Sequence, residues 1–151
     1  MKDHIINALE ELKRIDHLVY VTLKYTRTVD VLINIMKRMI EAYEFIFDGI
    51  LLYAKEKKRI DEVPSTPKEK CEFLKSTYPD AKIHENIDLY MLLRKLVKTS
   101  FERENEYRRH VTMITYMEGK QEIINIDIIT QYYQMQREFL VYAQKMMKEN
   151  D

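Results

Sequence analysis

The sequence predicts a mainly α-helical protein: an up-and-down bundle of long helices in a single domain over residues 1–151, with a small β-hairpin near 111–126. Three observations lead there. The chain holds only 2 Gly and 3 Pro, the residues that most strongly break local structure. Those breakers are confined: Pro64, Pro67 and Pro79 fall in one zone, Gly119 stands alone, and only Gly49 interrupts a long apolar stripe. Between them, apolar residues recur with a 3.6-residue period.

Ile5, Ala8, Leu9, Leu12 and Ile15 are spaced for a short amphipathic helix over 4–15, and Asp16 is placed to cap the next helix. From 19 to 57 no Pro intervenes, and Val29, Leu32, Met36, Met39, Tyr43, Phe47, Ile50 and Ala54 sustain one apolar face. A helix of about 38 residues would span roughly 57 Å. So long a rod calls for a break or for a partner to cover it, and a homodimer is the expectation. Gly49 costs about 1 kcal/mol in a helix relative to Ala, which marks a close helix–helix approach or a bend.

Ser65 or Thr66 caps a short helix over 67–77 that has Pro67 at its first position. Tyr78-Pro79-Asp80 is a turn. Leu89, Leu92, Leu93, Leu96, Val97 and Phe101 then carry a third main helix over 86–109. Residues 111–126 change character: two β-branched runs flank Met117-Glu118-Gly119-Lys120, which favours a hairpin over a helical continuation with Gly119 as its C-cap. Asp127 caps the last helix, over 127–148, whose apolar face includes Tyr133, Phe139, Leu140 and Ala143.

Composition removes several function classes. Lys+Arg and Asp+Glu are both 25, so no global charge draws the chain to nucleic acid or an anionic membrane, although a local basic stripe is compatible with neutrality. The single cysteine, Cys71, forms no intramolecular disulfide and suits a reducing compartment. No apolar run approaches the ~18–20 residues of a membrane span, and the N-terminus lacks the apolar core of a signal peptide. A cytoplasmic protein is expected. His4, His17 and His84 have no metal-ligand spacing with Cys71 or one another, and read as exposed or capping residues. No phosphate-binding loop, dinucleotide-binding glycine motif or nucleophile elbow is present, so no metal and no cofactor are expected. The Met and Tyr residues fall mostly at core spacing.

Two clusters carry potential chemistry. Tyr20, Lys24, Arg27, Asp30 and Asn34 stand at steps of three and four, beside Thr22, Thr26 and Thr28, an odd run for a helix interior because β-branched Thr is a weak helix former. The cluster is either a solvated face with Arg27 or Lys24 paired to Asp30, or a groove in which Lys24 and Arg27 hold phosphate or carboxylate. The second cluster is FERENEYRRH, residues 101–110, where Arg103, Tyr107, Arg108 and Arg109 precede His110. Donors beside a group that titrates near neutrality could bind an RNA phosphate and assist attack by a 2′-hydroxyl.

Arg103, six intervening residues and His110 resemble the R-x(4–6)-H pattern of HEPN domains, which are small all-helical units that often dimerise. The resemblance implies metal-independent RNA cleavage with Arg103 and His110 as catalytic residues and Tyr107, Arg108 and Arg109 holding the phosphate; other members of the family are non-catalytic. The family often places Asn directly after the Arg, whereas Glu104 stands there and Asn105 comes one place later. KYTRTVD and EYRRHVTM also resemble small archaeal helical proteins, a likeness that implies no activity. Two functions are therefore expected to compete: an interaction module that binds a protein or nucleic-acid partner through Lys24, Arg27 and Arg108, and a HEPN-like ribonuclease.

Overall fold

The computed structural model describes residues 2–149. It is mainly helical with a small antiparallel sheet, in the order α1 (Lys2–His17), a π-helical segment (Leu18–Thr22), α2 (Leu23–Tyr25), α3 (Val29–Glu56), α4 (Pro67–Thr77), α5 (Ala81–Leu96), β1 (Phe101–Glu104), β2 (Thr112–Met117), β3 (Lys120–Asn125) and α6 (Ile126–Glu149).

The long helix expected over 19–57 is two pieces. The chain leaves the helix at Thr26 and re-enters at Val29, with Thr28 in extended conformation (φ −121°, ψ 155°). Thr28 Oγ1 accepts from Val31 N–H at 3.2 Å, a side-chain N-cap that satisfies one of the orphan donors of α3. A second donor is satisfied from 77 residues away: Val29 N–H donates to Glu106 Oε2 at 3.1 Å. Of the Thr run that is odd in a helix, Thr22 does lie in the π-helical segment, Thr26 ends α2 and Thr28 starts α3. At 28 residues, α3 lacks the excess length from which a second copy was inferred.

α3 is the central element and packs against α1, α5 and α6. It runs uninterrupted through Gly49, where a methyl group would lie 3.3 Å from Ile5 Cδ1. The glycine marks close approach, not a bend. Tyr43, Phe47, Tyr90 and Phe139 interlock α3, α5 and α6, with ring centroids 5.2–6.1 Å apart. Two polar side chains in this core reach partners, while Gln136 Oε1 is buried without one among the described residues. Tyr43 Oη donates to Asn86 Oδ1 at 2.6 Å, and Gln136 Nε2 donates to Met39 O at 2.8 Å. Asp16 caps nothing; its carboxylate accepts from Tyr133 Oη at 2.8 Å and ties α1 to α6.

The helix expected over 86–109 ends at Leu96, and residues 101–104 are a strand. β1 pairs antiparallel with β2 (Arg103 opposite Met113), and β2 with β3 (Ile114 opposite Ile123), in the order β1-β2-β3. The expected hairpin is present and gains this third strand. Glu118 and Gly119 both take positive φ (54° and 78°), the geometry of a two-residue turn that matches strand twist. Thr66 and Pro67 start α4 as anticipated. Asn125, not Asp127, caps α6: its Oδ1 accepts from Ile128 N–H at 2.9 Å.

Candidate functional site

The break at 26–28 and the loop at 105–111 are built against each other. Tyr107 N–H donates to Arg27 O at 2.6 Å. Glu106 accepts from Val29 N–H with one oxygen and from Arg103 Nη1, at 3.0 Å, with the other. Arg103 Nη2 reaches Asp30 Oδ1 at 2.8 Å. One guanidinium thus bridges two carboxylates at the positive end of α3, where acids are favoured. The Asp30 hydrogen bond, and then that from Glu106, hold Arg103 further above its ordinary pKa. Within the loop, Asn105 Nδ2 and Thr112 Oγ1 both donate to His110 O, at 3.3 and 2.8 Å.

This junction opens a groove of about 410 Å³, with Val19, Leu23 and Ile126 as its apolar lining. Lys24 and Arg27 line it from the α2 side, Arg109 and His110 from the loop. Tyr20, Thr112, Asn125, Asp127 and Thr130 complete the wall. The volume falls in the range of small-ligand sites, roughly 300–1,000 Å³. Arg27 is steadied by Nε donating to Leu23 O at 3.2 Å, and Tyr20 Oη accepts from Gln134 Nε2 at 3.4 Å. Cations from segments some eighty residues apart in sequence therefore share one cleft.

Of the two clusters singled out by sequence, the structure merges parts and separates others. Tyr20, Lys24 and Arg27 line the groove; Asp30 instead pairs with Arg103, and Asn34 is exposed on α3. Arg109 and His110 line the groove, whereas Arg103, Tyr107 and Arg108 do not. Arg103 sits on β1 and His110 in the loop, so the two are not on one continuous helix. Thr112, Asn125, Asp127 and Thr130 were missed, because nothing in their local sequence distinguishes them from ordinary strand and helix-cap residues.

His84 and Cys71 lie outside the groove. His84 Nε2 lies 3.0 Å from Lys75 O and 2.9 Å from Tyr78 O, where its N–H serves the carbonyl end of α4. Cys71 is buried beside a smaller cavity of about 230 Å³ with Glu44, Asp48 and Tyr90, and burial pushes its thiol pKa up. Among the described residues no three His, Cys, Asp or Glu side chains converge to hold a metal ion, and no helix is long and apolar enough to cross a membrane. No family model, curated protein or solved structure matches the chain.

Proposed function

We propose that the protein is a binding module that takes the phosphate or carboxylate groups of a macromolecular partner in the groove of Lys24, Arg27, Arg109 and His110, on a scaffold of up-and-down helices. The observation that carries the reading is that these four residues line one cleft. Charge-assisted hydrogen bonds from Arg and Lys to an anion are roughly twice as strong as neutral ones. Calorimetric titration with inorganic tripolyphosphate tests it. Wild type should bind, and Lys24→Ala/Arg27→Ala/Arg109→Ala should not, with the fold kept and the thermal midpoint lowered by a few degrees at most because surface substitutions cost within about 0.5 kcal/mol each. Equal heats from both proteins would remove the groove as the site.

A second reading is a HEPN-like, metal-independent ribonuclease. His110 lining the same cleft as Arg27 and Arg109 favours it, since an imidazole among cations suits general acid–base work on a phosphodiester. Arg103 weighs against it, because both sides of its guanidinium are taken by Asp30 and Glu106. RNA cleavage without added metal, lost in both Arg103→Ala and His110→Ala while the fold persists, would establish this reading. No cleavage by wild type across several RNAs would leave the binding module.

A further inference from the structure

Tyr25 and Tyr107 are the most exposed of the large hydrophobic and aromatic side chains among the described residues, at 84% and 79%. Neither ring is placed there by core packing. Tyr107 also holds φ at +65°, a left-handed conformation that is a genuine outlier for a bulky residue. It is kept there by a rigid loop: its own N–H on Arg27 O, Arg108 N–H on Asn105 O at 3.1 Å, and Glu106 clasped to both Val29 and Arg103. Strain of this kind persists only where the surroundings over-determine it, and it clusters at binding sites.

Both rings adjoin the groove in the chain. Tyr25 comes directly after Lys24, Tyr107 precedes Arg108 and Arg109, and the Tyr107 backbone is bonded to that of Arg27. The charge around them is lopsided despite the neutral whole. Arg103 occupies Asp30 and Glu106, while Lys24, Arg27, Arg108 and Arg109 make no ion pair with a described carboxylate. Among the described residues that line the groove, Asp127 is the one acid.

We propose that the groove's ligand is a single-stranded nucleic acid, with phosphates on Lys24, Arg27 and Arg109 and bases stacked on Tyr25 and Tyr107; this rests on the anion-binding reading above. Interleaved cations and presented aromatic rings are what an unpaired strand requires, because every base offers a π face once it leaves a duplex. A duplex keeps those faces stacked internally, and an acidic peptide brings charge without flat faces to match two solvent-exposed rings. A ring held by a rigid loop loses little conformational freedom on binding.

The test is fluorescence anisotropy with labelled 12-nucleotide oligo(U), oligo(dT) and a duplex of the same length, on wild type, Tyr25→Ala/Tyr107→Ala and Tyr25→Phe/Tyr107→Phe. Either single strand should bind at least tenfold tighter than the duplex; the ratio between the two strands reports the sugar. The Ala pair should weaken single-strand binding roughly 5- to 150-fold per stacked base, and the Phe pair should restore it. Removing Arg109 should flatten the dependence of log affinity on log salt by about 0.7. Equal affinity for duplex and single strand, indifference to the Ala pair, or tighter binding of a poly-Glu peptide would overturn the inference. If tripolyphosphate still binds in a Lys24- and Arg27-dependent way after such a result, the groove reading stands and only the stacking falls. If no polyanion binds, both fall.

Discussion

The helical core and the corner where α2, α3 and the 105–111 loop meet are built on opposite terms. In the core, Tyr43, Phe47, Tyr90 and Phe139 are buried in mutual contact, and the Tyr43 hydroxyl is partnered by Asn86. Each choice there agrees with the fold. The corner holds Asn105 and Tyr107 at positive φ, leaves two tyrosines in solvent and gathers cations around a cleft. Packing accounts for the first region and not for the second. Where local rules are broken without a gain in stability, function is the place to look for the compensation.

That contrast can be broken by mutation, and the largest effect should come from the core. Phe47→Ala should cost about 3–5 kcal/mol, because the cavity left among Tyr43, Tyr90 and Phe139 cannot collapse fully; urea denaturation would measure it. At high pH the core should weaken again. Burial raises the pKa of Tyr43, Tyr90 and Tyr133 above the ordinary 10, so the folded state holds their protons more tightly than the unfolded chain. Their contribution is complete below about pH 10 and is lost as pH rises beyond it, so the urea midpoint should hold steady up to about pH 10 and fall progressively above it. Tyr43→Phe/Tyr90→Phe/Tyr133→Phe should flatten that decline.

In the corner, Glu106→Ala removes the acceptor of Val29 N–H and one partner of Arg103, and should cost about 1–2 kcal/mol. Glu106→Gln keeps an amide oxygen for Val29 and should cost less. The smallest effect has the opposite sign. Tyr107→Gly relieves a left-handed bulky residue and should stabilise by about 0.5–1 kcal/mol.

Much of the core was legible in the sequence. The 3.6-residue stripe from Val29 to Ala54 gave α3 its buried face, and Thr66-Pro67 marked the start of α4. The hairpin could be read from two β-branched runs around Gly119. The corner was not legible, for a physical reason. The break at 26–28 contains neither Gly nor Pro; it is stabilised by Thr28 and by Glu106, a residue far along the chain. Glu- and Arg-rich residues 101–110 are good helix formers locally, yet pairing with β2 and docking onto Arg27 override that preference. Lys24, Arg27, Arg109 and His110 were each singled out, but only the tertiary fold could bring them into one cleft.

The most direct measurement takes Tyr107→Gly alone and determines both its melting temperature and its affinity for 12-nucleotide oligo(U). A corner that sacrifices stability for binding predicts a midpoint raised by about 1–4 °C together with a loss of affinity of several-fold or more. A lowered midpoint, or an affinity equal to that of wild type, would contradict the account.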